Sequence, residues 1–263
     1  MANYVPVTKE RHATKRWRRY RSYAFAAQQA GVPLVGAELG QAVRTFPVAF
    51  IKQAETFVLV AVLGLVQGRN LFVTPDGRWL GPYVPAALRV YPFALARTEQ
   101  GKQVFCVDEA SGLVIDGPDG EPFLDEAGNG PSEQVKQLLD FLLKVEQNRV
   151  GTATATAALQ SAGLIQPWPI VLKTQKGEEK VEGLFRVNEP ALNALDDDAF
   201  LELRRKGAIP LAYAQIISMS NLGVLGRLSA AQAPAQPQAA PQVQLGQDLD
   251  LSFLESGGTL KLS

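Results

Sequence analysis

The side chains with the strongest chemistry in this chain are scattered. His12 is the only histidine and stands among lysines and arginines. A serine or cysteine nucleophile ordinarily needs a base held by surrounding structure, so a histidine-based triad is not expected. Cys106 is the only cysteine, and between Phe105 and Val107 it reads as a small core residue. One cysteine excludes an intrachain disulfide and a cysteine zinc site within one chain. Adjacent acids at Asp108 and Glu109, and at Asp196, Asp197 and Asp198, suit a strand end and a helix start better than a general acid and base. The glycine-rich stretch 112–130 carries neither GxGxxG after a strand nor a lysine following a glycine loop, so it offers no phosphate cradle. No catalytic residue, metal site or cofactor is expected from these patterns.

Residues suited to binding are better grouped. Asn70, Trp79, Tyr83, Arg89 and Tyr91 fall within 22 positions. Tryptophan and tyrosine offer an apolar face with one polar handle, and arginine grips a carboxylate or phosphate with two parallel donors. The group either lines a pocket for a small ligand or protein partner or packs a core around turns made by Asn70 and Gly77. Glu38, flanked by apolar residues, either reaches the same pocket or lies on a solvated edge. An enzyme built here would draw on Glu38, Arg89 or Asp108, with its site near Trp79.

Two further segments could meet partners. At the arm 1–21, Trp17, Tyr20 and the following Tyr23 are interleaved with arginines in a pattern that suits phosphates and base stacking, but a short basic segment is more often a surface arm or a clasp on its own domain. Nucleic acid is therefore not the expected partner. In the tail 245–263, Leu249, Leu251 and Phe253 share one face of an extended strand, an arrangement that could dock on a partner's sheet edge. A disordered tail is the alternative.

The elements that must position these residues are an α+β set. A helix is expected over residues 33–45 and a short one over 22–30. Strands over 48–52 and 57–66, joined by the polar turn 53–56, continue into a third at 71–73 as an antiparallel meander. A short helix over 83–90 stops at Pro92, and a hairpin over 93–97 and 103–108 follows. Helices are expected at 132–148 and 152–162, strands at 170–173 and 181–187, then helix starts at Asn188 and Asp196 and a last helix over 211–222. Strand pairs first and helices later favour one large α+β domain, 22–228, over a doubly wound sheet. An uncharged Ala, Pro and Gln linker, 229–244, leads to the tail.

Composition sets the outer bounds. At 46% hydrophobic and 20% charged, the chain can bury a sizeable core. Its 26 basic and 26 acidic residues cancel, so it lacks the field of a dedicated nucleic-acid or membrane-surface binder. Seven of the basic residues lie in 9–21, leaving 19 basic and 25 acidic residues elsewhere and a body with net charge minus 6. The strongly apolar run 57–66 is far short of a bilayer span, and charges occupy the place of a signal-peptide core. A cytoplasmic chain without membrane insertion is the expectation.

Three runs in this order resemble the bacterial SapC family: Tyr23, Ala24, Phe25, Ala26 with Pro33, Leu34, Val35; Leu63, Gly64, Leu65 with Asn70, Leu71, Phe72; and Gly77, Arg78, Trp79 with Tyr83, Val84, Pro85, Ala86, Leu88, Arg89, Tyr91, Pro92, Phe93. Weaker similarity continues through Gly183, Leu184, Phe185 and residues 211–220, so the likeness covers about 18–228. The resemblance implies a binding or accessory protein associated with bacterial surface layers and resistance to host defence, with no firm biochemical activity attached.

Overall fold

The structure is a computed structural model that describes residues 3–174 and 177–232. Its centre is a five-stranded antiparallel sheet in the order Ile165–Pro167, Leu184–Val187, Val48–Gln53, Thr56–Val62, Gly31–Pro33. The two middle strands are rich in β-branched and aromatic residues and pair from Val48↔Ala61 to Gln53↔Thr56. That register leaves a two-residue turn in which Ala54 takes φ 50°, the twist that tight hairpins prefer. Beyond Thr56–Val62 the sheet is completed by Gly31–Pro33 rather than by residues 71–73, which make only a single bridge, Val73↔Trp79.

The helix expected over 33–45 is therefore broken up. Val32 pairs with Ala61, and only the short turns Gly36–Glu38 and Leu39–Ala42 are helical. Residues 22–30 likewise shrink to one turn, Ala24–Ala26. In both places sheet pairing and buried side-chain hydrogen bonds override an apolar spacing that reads as helix.

The opposite happens after Ser132. Its hydroxyl caps the helix by accepting the Val135 N–H, and the helix then runs unbroken through Gly151 as Glu133–Ser161. The two helices expected there are one, because a lone glycine weakens a helix without ending it. This long helix lies against Thr56–Val62 and against a second helix, Ala208–Ser218. Gln215 and Ser218 on that second helix bond the sheet. The Gln215 amide accepts the Val187 N–H at 2.9 Å and donates to the Val48 carbonyl at 3.1 Å, and the Ser218 hydroxyl accepts the Val48 N–H at 2.9 Å.

Among the described residues, one helical stretch, Ala208–Ala231, is long and apolar enough to cross a membrane by length and composition. Its buried positions Leu211, Ala212, Gln215, Ser218 and Leu225 pack into this protein's own core. The strand expected over 181–187 is divided: Ile170–Thr174 pairs with Gly177–Val181, and only Leu184–Val187 enters the central sheet. Asn188 and Asp196 cap Glu189–Asn193 and Asp197–Arg205 through their side chains, as their types predict.

A second, smaller core lies around Trp17, Val90, Phe93, Val107, Phe123 and Leu142. It is framed by the hairpin Phe93–Arg97 and Gln103–Asp108, with Tyr4–Pro6 added at its edge. It is framed also by Lys15–Trp17, paired between Val114–Asp116 and Glu121–Pro122. The basic N-terminal segment is thus woven into two sheets. The glycine-rich stretch 112–130 supplies two of its strand partners.

Candidate functional site

Glu38 sits at the end of a helical turn and is buried. Its Oε2 accepts the Val35 N–H at 3.1 Å; its Oε1 accepts the Tyr83 hydroxyl at 2.8 Å and the Ala86 N–H at 2.6 Å. One carboxylate therefore fixes both the 35–38 turn and the start of the Ala86–Arg89 helix. The Tyr83 hydroxyl in turn accepts Arg89 Nη2 at 3.2 Å, and the guanidinium lies over the rings of Tyr83 and Phe141. Burial, followed by the hydrogen bond to Glu38, pushes the Tyr83 phenol up to about 12.

The other members of the aromatic and polar group pack rather than open to solvent. Asn70 is buried, donating to the Ala26 carbonyl at 3.0 Å and accepting the Phe72 N–H at 2.9 Å. Trp79 gives its indole N–H to the Tyr83 carbonyl at 2.9 Å and stacks on Phe72 at 5.5 Å. Tyr91 stacks on Phe25 at 3.9 Å, with Tyr20 at its edge. Burial, then Asp108, raises the Tyr91 phenol. The aromatic and polar group of 70–91 is thus a packed wall, and of its five members, Asn70, Trp79, Tyr83, Arg89 and Tyr91, Arg89 is the exposed one.

Glu38 and Arg89 meet through Tyr83, but Asp108 serves elsewhere. Its Oδ1 accepts the Asn3 and Ala110 N–H groups at 2.7 and 3.1 Å and ties the N-terminus to the strand end. Cys106 is buried, which raises its thiol. His12 is fully buried against Phe123, its Nδ1 accepting the Thr8 N–H at 3.3 Å. Burial lowers its pKa, and the Glu109 carboxylate 3.4 Å from Nε2 only partly opposes that shift. Among the described residues no group of histidine, cysteine, aspartate and glutamate could hold a metal ion.

Four of the seven cations in residues 9–21, Arg11, Lys15, Arg18 and Arg19, are engaged in ion pairs. Arg11 pairs with Glu109, Arg18 with Asp119 and Arg19 with Glu121, while Trp17 is buried edge-on to Phe93 at 4.9 Å. The arm is a clasp on its own body. Leu249, Leu251 and Phe253 lie outside the described residues.

The open space lies on the other side of Glu38. A cavity of about 420 Å³ occupies the seam between the two cores. Pro33, Val35, Phe57 and Leu59 wall it from the central sheet; Ala87, Val90, Phe93 and Leu95 wall it from the second core. The long helix forms its third side.

The SapC family profile matches residues 7–225. The chain belongs to the SapC family. No curated protein and no solved structure matches it. The match takes in both cores and, apart from Tyr4, every residue lining the seam of this SapC chain.

The residues that sequence reasoning missed are those the long SapC helix turns toward the seam: Leu142, Val145, Glu146, Arg149, Thr152 and Thr156. Their spacing of three and four places them on one helix face, a signal that splitting the helix at Gly151 had hidden. The Thr152 hydroxyl accepts the Gly36 N–H at 2.7 Å and donates to the Asn148 carbonyl, holding the 35–38 turn against the helix. Thr156 is only 1% exposed, and its hydroxyl makes no hydrogen bond among the described residues. At the rim, Glu146 takes Arg149 at 2.6 and 2.7 Å and Arg97 at 2.8 Å, and these guanidiniums, Arg149 first, lower its pKa to about 2.

Proposed function

We propose that this SapC-family protein is a binding or accessory protein whose site is the seam cavity, and that its ligand is a small, largely apolar molecule. The observation that carries this reading is the cavity itself. Its volume falls within the roughly 300–1,000 Å³ of small-molecule sites, its walls are mostly aliphatic and aromatic, and a few polar groups stand at fixed positions. Glu38 supports binding over catalysis, because its acceptors are spent on Val35, Tyr83 and Ala86 and it serves to place the Ala86–Arg89 wall.

The test uses the neutral fluorophore N-phenyl-1-naphthylamine and an exposed rim position, Ala153. Saturable fluorescence enhancement at one site in the native chain, abolished in a folded Ala153→Trp variant, is the expected result. Equal enhancement in both chains, or none in either, would remove the seam as the site.

The association with the bacterial surface layer comes from the family resemblance. Fractionation of cells tests it: recovery with the envelope supports that location, and recovery in the soluble fraction alone counts against it.

A further inference from the structure

The polar atoms of the seam are few and unevenly distributed. From Leu142 to Thr156 the helical wall extends about 21 Å along its axis at 1.5 Å per residue, so the space is long rather than round. The end next to Val90, Phe93, Leu95 and Leu142 is apolar. At the rim one carboxylate, Glu146, is shared by two guanidiniums, Arg97 and Arg149, while the other carboxylate that lines the cavity, the buried Glu38, is held by the Val35 and Ala86 N–H groups and the Tyr83 hydroxyl. The trio keeps one positive charge in excess. Asp140 and Lys144, which share the outer groove with Arg97 and Glu146, offset each other.

Arg149 is the cation that faces both solvent and seam. It lines the cavity with its side chain 53% exposed. Its Nε and Nη2 are on Glu146, and its Nη1 bonds no described residue. A guanidinium with free donors at the mouth of an apolar slot suits a carboxylate at one end of an aliphatic body. A cationic head would find no such partner, since both oxygens of Glu146 are already held by arginine and the buried Glu38 is held by Val35, Tyr83 and Ala86. The volume sits at the low end for ligand sites, which fits one chain and not the two of a membrane lipid.

Resting on the binding reading above, we infer that the ligand is a free single-chain aliphatic carboxylate, its tail between Leu142 and Phe93 and its head at Arg149. Decanoate, decanol and decylammonium serve as probes in calorimetric titrations of the full chain and of Arg149→Gln. At low salt decanoate binds about three- to fivefold more tightly than decanol, the advantage expected of one partly exposed charge pair, and decylammonium binds most weakly. In Arg149→Gln decanoate loses that advantage while decanol affinity is kept, which also shows that the variant folds. In the unmodified chain, raising the salt narrows the same gap.

Decanoate binding no tighter than decanol, or a preference that survives both Arg149→Gln and high salt, would overturn the head-group assignment and leave the cavity reading standing. Failure of all three probes to bind would remove both. Retention on phosphatidylglycerol vesicles without decanoate binding would overturn the free carboxylate in favour of a lipid surface.

Discussion

Glu38 shows how one buried side chain can shape a site without entering its chemistry. Replacing it by alanine leaves the N–H groups of Val35 and Ala86 buried without an acceptor and frees the Tyr83 hydroxyl. Chemical denaturation of Glu38→Ala is expected to show a loss of about 3 kcal/mol, against about 1 kcal/mol for Tyr83→Phe. Equal small losses would mean that the carboxylate is not the anchor. Two of the groups with shifted pKa values belong to these contacts. The Tyr83 phenol is raised from its ordinary 10 to about 12, so the folded state holds its proton longer than the unfolded chain does; stability is fully present below pH 10 and falls between about 10 and 12. Glu146 is lowered from 4.5 to about 2, so its contribution is present above pH 4.5 and is lost as pH falls toward 2. Denaturation midpoints of the unmodified chain against Tyr83→Phe and Glu146→Gln check both arms, since Tyr20, Tyr91, Asp76 and Glu109 are shifted in all of them alike, and a variant profile parallel to the unmodified one at its end of the range would contradict the corresponding contact. Glu38, Tyr83 and Arg89 were legible in the sequence as a group. Their role was not, because a carboxylate flanked by apolar residues reads the same whether it faces a ligand or three donors of its own chain.

Among the elements, hairpins and capped helices read most directly from sequence. The turn 53–56, the hairpin over 93–108 and the caps at Ser132, Asn188 and Asp196 rest on local chemistry that no distant contact overrides. Gly31–Pro33 and the clasp over residues 4–17 depend on partners far along the chain, such as Ala61, Val107 and Ile115, and no local pattern announces them. Ala54 offers an element-scale check. Its φ of 50° costs an L-residue roughly 1–2 kcal/mol that glycine escapes, so Ala54→Gly is expected to raise stability by up to about 1 kcal/mol after glycine's own entropy loss. Thermal denaturation measures this, and a marked destabilisation would argue that the hairpin does not turn as described.

At the scale of the whole molecule, the α+β class and the strand-first order were readable from composition and patterning, and the place of the site was not. The sequence draws attention to the aromatics of 70–91, which the fold uses to pack a wall. The cavity arises because two hydrophobic cores approach through one long helix without merging, and that helix bridges them only if it continues through Gly151. Side chains from Pro33 to Thr156 then meet around a space that no short motif encodes. The most direct measurement is a methyl NMR titration of the full chain with decanol. The account predicts saturable shifts at Leu59, Leu95, Leu142 and Val145, with Leu192 and Leu203 unmoved. Shifts centred on those last two, or none at the seam, would contradict it.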